Sequence, residues 1–236
     1  MNPYLSKAVR QMCPPIVLSA VRKIKDGTAV GSRPSIAGGP PHEQDLDIYW
    51  SDEMAKALDT WGVGNVWHEI LFLLANCRGR VLDIACGTGK TITLSEQIVG
   101  LELYGCDISD LLIQKAIDRG LEASRLKVGD ATQMDYADDS FEYSYSIGSL
   151  EHFTEEGIGK FISECYRVTR VGSFHMIPVS RSGKNEGWMK TEQSFYNNSV
   201  EWWLAKFKER YQNVTELDSL WNDPHSVGKW FVCTKG

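Results

Sequence analysis

Two glycines and three aspartates are spaced along this 236-residue chain so that one small ligand can touch them all. Val81-Leu82-Asp83-Ile84-Ala85 is an apolar run suited to a buried strand, and it passes directly into Cys86-Gly87-Thr88-Gly89-Lys90. Gly87 and Gly89 put no side chain between backbone and ligand, and a helix starting after them offers unpaired amides to a carboxylate. Asp83 can answer an ammonium group, so a single loop grips both charges of an amino-acid moiety. Eighteen residues beyond Gly89, Asp107 ends the run Tyr104-Gly105-Cys106-Asp107. A carboxylate there can accept both hydroxyls of a ribose. Ile108 would then pack on the base, and Asp130, within Gly129-Asp130-Ala131, would accept a hydrogen bond from the base's amino group.

These residues need strand ends to carry them, and the chain supplies the elements. Runs at Val81–Ala85, Leu103–Cys106, Arg125–Val128, Phe141–Ile147 and Ser173–Val179 alternate with helix-length segments at Lys90–Val99, Asp110–Arg119 and Glu155–Thr169. Such alternation predicts a doubly wound α/β fold, with a mostly parallel sheet covered on both faces and ligands at the carboxyl edge. Helical spacing precedes the sheet at Met54–Leu58 and Val66–Cys77. A final helix, Val200–Tyr211, leads to strand candidates Val214–Leu217 and Trp230–Thr234, separated by a turn at Trp221–Ser226.

Two other nucleotide sites are weighed against the glycine loop. A dinucleotide fingerprint requires a third glycine where Ile92 stands, and a phosphate-binding loop ending in Gly89-Lys90-Thr91 requires its first glycine where Ile84 stands. The plain alternative is that Gly87 and Gly89 merely end a strand.

The order of motifs resembles the class I S-adenosylmethionine-dependent methyltransferases over about 150 residues. Leu82 to Gly89 (LDIACGTG) is similar to their first motif, Asp107 to their ribose-binding acid, Gly129 to Ala131 (GDA) to their adenine contact, and Ser149 to Phe153 (SLEHF) to the segment after their fourth strand, in the branch acting on small molecules. The resemblance implies S-adenosyl-L-methionine as cofactor and a Rossmann-like seven-stranded sheet whose last strand is antiparallel. It also extends the cofactor set to Ala85, Ala131 and Ile147, and to Tyr49 from a helical lid at 49–78. Residues 49–236 would be the methyltransferase domain, and 1–48 a basic N-terminal arm.

Methyl transfer is an in-line displacement, so holding the acceptor and excluding water provide most of the rate. A hydroxyl acceptor must also lose its proton, a task for histidine near neutral pH. His152, after the fourth strand, is the first candidate base, with capping or cofactor binding as its plain alternative. Glu151 ranks below it. His225 is second, with Asp223 to orient it, because a sixth strand parallel to the others would deliver it to the same edge; placement on the surface without function is the alternative. His175, inside an apolar run, reads as a satisfied core histidine. Arg181 and Lys184 read as contacts for an anionic acceptor or as solvated loop residues. The segment after Ser180 resembles methyltransferases of surface-polysaccharide synthesis.

The acceptor class that follows is a small molecule, led by O-methylation of a sugar or nucleotide-linked sugar. N-methylation, a quinone-type acceptor and a non-catalytic S-adenosylmethionine-binding module are the rivals. The chain carries a formal charge of -6, but residues 1 to 40 hold six basic side chains against the single Asp26, a net +5, which leaves -11 for the rest. An acidic body argues against nucleic acid as partner. The arm reads as a solvated extension or, through Pro14 to Lys23, as a peripheral contact with anionic lipid. No apolar run is long enough for a membrane span and no secretory signal opens the chain, so a cytoplasmic protein is expected. The six cysteines lack paired spacing, so reduced thiols and no structural metal are expected.

Overall fold

The computed structural model describes residues 44, 46–191 and 193–236. The basic stretch to residue 40, with its proposed lipid contact, lies outside the described residues. The first described element is a 3-10 turn at Asp47–Trp50, followed by helices α1 (Asp52–Leu58) and α2 (Val66–Leu74). Strand β1 (Gly79–Ile84), helix α3 (Lys90–Ser95), β2 (Leu101–Asp107), α4 (Asp110–Asp118), β3 (Leu126–Val128) and β4 (Phe141–Ile147) follow in strict alternation except at the last step. Then come α5 (Glu155–Val168), β5 (Thr169–Ser180), a hairpin of β6 (Trp188–Met189) and β7 (Phe195–Tyr196), α6 (Val200–Lys208), β8 (Asn213–Asn222) and β9 (Ser226–Thr234).

The central sheet has seven strands in the order β3-β2-β1-β4-β5-β9-β8. Strands β1 to β5 pair in parallel, whereas β9 runs antiparallel to both β5 and β8. This is the doubly wound sheet with an antiparallel last strand that the sequence predicts. Because β8 points the same way as β1 to β5, the turn into β9 reaches the carboxyl edge, as the reading of His225 requires.

Helix starts are written locally. Ser51, Ser109, Thr154 and Ser199 each cap a helix by accepting a hydrogen bond from the backbone amide three residues on, an interaction of about 1 kcal/mol apiece. The two faces of the sheet bury separate clusters. One holds Phe141, Phe161, Trp203, Phe207 and Phe231 under α5 and α6, and the other holds Trp67, Ile70, Leu74, Ile113 and Trp230 under α2, α3 and α4. Each large apolar side chain so buried contributes about 1.5–3 kcal/mol.

Helix α2 departs from the expected lid. Glu69 accepts hydrogen bonds from Ser219 Oγ, the Leu220 amide and Trp230 Nε1 at 2.6–2.7 Å, which fastens α2 to β8 and β9 as cover for the sheet. Of the helical region before β1, the 3-10 turn and α1 lie at the ligand edge. His175 is the satisfied core histidine expected: Nδ1 lies 2.9 Å from Ser146 Oγ, and Nε2 lies 2.8 Å from Ser173 Oγ, which in turn donates to Tyr211. Burial pushes its ring down to about 3, so it stays neutral. No helix among the described residues is long and apolar enough to cross a membrane.

Candidate functional site

Beyond β1 the backbone turns through left-handed conformations at Ala85 (φ 57°), Gly87 (φ 54°) and Gly89 (φ 68°). The alanine stores strain of order 1 kcal/mol, and the turn brings the Gly87 amide onto the end of β2. There Asp107 is buried, with Oδ2 accepting from Gly87 N at 2.8 Å and Oδ1 from Ser109 N at 2.9 Å. Burial raises the Asp107 carboxyl above its ordinary range, while the amides of Ser109, Gly87 and Ile108 hold it down. A carboxylate fixed by backbone on both oxygens is presented at constant geometry, without rotamer freedom to lose on binding.

A cleft of about 330 Å³ opens at this edge. Asp107, Ile108, Asp130 and Ala131 line it together with Ala85, Gly87 and Ile147. Tyr49 comes from the 3-10 turn to cover it. A narrower recess of about 40 Å³ adjoins the cleft under the glycine loop, lined by Asp83, Thr88, Thr91 and Trp61 together with Ala85, Gly87 and Ile147. Asp83 is buried there, with Thr91 Oγ1 donating to Oδ2 at 2.5 Å. Burial pushes its carboxyl up to about 7, against the pull of the Thr91 and Tyr145 hydroxyls. A cation entering the recess would restore its charge.

Three residues stand elsewhere than the sequence reading puts them. Gly89 lines neither space; it opens α3, and a Cβ there would lie 2.4 Å from Leu121 Cδ1 and 3.1 Å from Ala116 Cβ. The glycine is needed for packing and for its positive φ. His225 is exposed on the β8–β9 turn outside the lining of the cleft, and Asp223 accepts the amide of His225, not its ring. His152 sits in a 3-10 turn (Leu150–His152) with its ring turned from the cleft, Nδ1 donating to the Ser194 carbonyl at 2.9 Å. Burial lowers the ring to about 4, so it is neutral at physiological pH and its proton is committed to Ser194. Arg181 likewise spends its guanidinium on the Asp223 and Ser226 carbonyls.

The lid is fastened from one side of the cleft to the other. Ser109 Oγ donates to the Tyr49 carbonyl, Trp50 Nε1 to Asp110, and Lys115 pairs with Asp52. Asp59, just past α1, receives Thr88 Oγ1 from the glycine loop and Arg119 from the end of α4. Across the cleft, Gln193 Nε2 donates to Tyr49 Oη at 2.8 Å, and both residues line the space. Gln193 carries no sequence signal, since it lies in a loop between two-residue strands. Gln44, Thr154 and Lys160 also line the cleft, and only Thr154, as a helix cap, was findable by pattern.

Residues 81–172 match the profile of a family described as a methyltransferase domain. A human protein named as a probable tRNA methyltransferase 9B is 35% identical over 134 residues, 56% of this chain and 26% of its own length. The O-methyltransferase resE of Aspergillus sclerotiorum is 27% identical over 133 residues, 53% of this chain and 49% of its own. The chain thus spans about half or less of the length of these curated relatives. A phosphoethanolamine N-methyltransferase of Haemonchus contortus, solved with S-adenosylhomocysteine, shares the fold at a TM-score of 0.56 and 18% identity, over 72% of this chain and 52% of that one.

Proposed function

We propose, from the premise that residues 81–172 form an S-adenosylmethionine-dependent methyltransferase domain, that the chain uses the cleft to move a methyl group onto a hydroxyl of a small polar acceptor, a sugar or nucleotide-linked sugar first among them. The observation that carries this is the pair of buried carboxyls at the ends of neighbouring strands, Asp83 of β1 in the recess and Asp107 of β2 at the cleft wall, bridged by Ala85 and Gly87, which line both spaces. The cofactor supplies a methyl group on a positively charged sulfur. Asp107 would take its ribose hydroxyls, Ile108 and Ala131 would flank its base, and Asp130 would meet the base's amino group. Asp83 would pair with its ammonium, and Tyr49 with Gln193 would keep water out. Gly87 fits the cofactor's close approach, since a Cβ there would already lie 3.1 Å from Leu58 Cδ1.

A second reading is favoured by one observation. The human relative is named for tRNA, and a polynucleotide acceptor runs against the expectation that nucleic acid is no partner. The chain's acidic balance supports the small acceptor. Transfer of tritiated methyl from S-adenosylmethionine to nucleotide sugars, quinols and unmodified tRNA separates the two. Label in the sugar fraction is expected, and label in RNA alone would replace the small-acceptor reading.

A further inference from the structure

The cleft and the recess share Leu58, Ala85, Gly87 and Ile147 in their linings. A ligand with its nucleoside in the first and its amino-acid end in the second must cross at those residues. Gly148, the next residue after Ile147, forms part of the cleft wall and adopts φ +62°. A Cβ on it would come 3.1 Å from Trp61 Cη2 and 3.6 Å from Glu151 Oε1. Behind this cleft-lining glycine, beside the edge of the Trp61 ring, stands the Glu151 carboxyl. Glu151 is only 2% exposed, and its Oε2 is fully buried with no hydrogen-bond partner among the described residues. Its titratable neighbour, His152 Nε2, is 3.6 Å from Oε1, beyond hydrogen-bond reach. Trp61, brought to this corner from before β1, and Gly148, three residues before Glu151, carry no charge. An orphaned buried carboxyl oxygen is costly, a cost that a ligand's donor would relieve.

We propose that Glu151, not His152, is the group that meets the acceptor's polar hydrogen. This rests on the methyltransferase reading. As the acceptor oxygen forms its bond to the methyl carbon, the carbon–sulfur bond breaks with its electron pair going to sulfur, and the hydroxyl proton passes to Glu151 Oε2. The sulfonium charge and the carboxylate charge vanish together. Burial holds the Glu151 carboxyl up at about 8, so a positive charge arriving beside it should displace its proton at neutral pH.

Sinefungin, which carries an amine where the cofactor carries its methylated sulfur, probes this corner without turnover, and S-adenosylhomocysteine probes the rest of the site alone. Isothermal titration of both at pH 7, in buffers of differing ionisation enthalpy, counts the protons released. Asp83 meets the amino-acid ammonium in both ligands, so the difference between them isolates Glu151. The wild type should release up to one more proton with sinefungin than with S-adenosylhomocysteine and bind it roughly 10-fold more tightly. Glu151→Gln should lose both differences while keeping its affinity for S-adenosylhomocysteine, which also reports that the variant is folded. Equal proton release for the two ligands in the wild type overturns the proposal, as does a preference for sinefungin that survives in Glu151→Gln. Failure of S-adenosylhomocysteine itself to bind would overturn the methyltransferase reading instead.

Discussion

At the ends of β1 and β2 the groups facing the cleft are held by nearby backbone, Asp107 by the amides of Gly87 and Ser109. Beside the segment after β5 the holds are long-range: Tyr49 of the 3-10 turn is held by Gln193 at a separation of 144, and His152, outside the cleft lining, by the Ser194 carbonyl 42 residues away. The first edge is fixed by the strand-loop-helix unit itself, whereas the second exists only once the segment after β5 has docked. A cofactor common to many reactions suits the self-contained edge. An acceptor that differs from one enzyme to the next suits the edge completed by the loop segment after β5, where sequence can change without disturbing the sheet.

The largest expected effect separates stability from binding at the first edge. Asp83 in the folded protein titrates near 7, above its ordinary 3.8, so folding favours its protonated form. Its cost to stability is absent below about pH 4, grows as the pH rises toward 7, and levels off above that. Asp83→Asn should therefore stabilise the unliganded protein at pH 8, by an amount on the order of a few kcal/mol, and abolish the pH dependence this group causes. Urea unfolding at pH 5 and pH 8 checks it, and equal gains at the two pH values would show that Asp83 is not the group responsible. The same substitution should weaken S-adenosylhomocysteine binding.

Asp107→Ala comes next. Loss of charge-assisted hydrogen bonds should weaken S-adenosylhomocysteine binding by about 1–3 kcal/mol, read by calorimetry, and free the Gly87 amide from its anchor. Gly89→Ala sharpens the contrast within the same loop: its positive φ and the contact with Leu121 should lower stability by about 1–2 kcal/mol with little change in ligand affinity, because Gly89 lines neither space. Smallest is the latch over the cleft. Gln193→Ala and Tyr49→Phe should each speed release of S-adenosylhomocysteine by an amount worth about 0.5–1.5 kcal/mol, and the double variant should fall short of their sum. Full additivity in stopped-flow release would mean that the two side chains do not act together.

The first edge was legible because its chemistry is consecutive in sequence. The run from Leu82 to Gly89 and the acids after β2 and β3 need only the strand-helix alternation to be brought together. Strands β5, β8 and β9 run longer than their apolar cores, from Thr169, Asn213 and Ser226 onward, because β5 and β9 are paired on both sides while β8 follows β9 even where its own residues are exposed. The hairpin at 188–196 was invisible, since two-residue strands have no period. Choosing between Glu151 and His152 was beyond sequence as well. In a 3-10 turn adjacent side chains diverge by about a third of a turn, and what each one meets is set by Trp61 and Ser194, far away in the chain. Gly89 is a motif glycine whose packing against Leu121 and whose positive φ were not legible in the sequence.

The claim on which the rest depends is that Asp83, Gly87 and Asp107 form a site for a nucleoside joined to an amino acid. Calorimetric titration of the wild-type chain with S-adenosylhomocysteine, ATP and NAD tests it directly. Micromolar binding of S-adenosylhomocysteine, sharply reduced in Asp107→Ala, with ATP and NAD weaker, is the expected result. Tighter binding of ATP or NAD than of S-adenosylhomocysteine would contradict it.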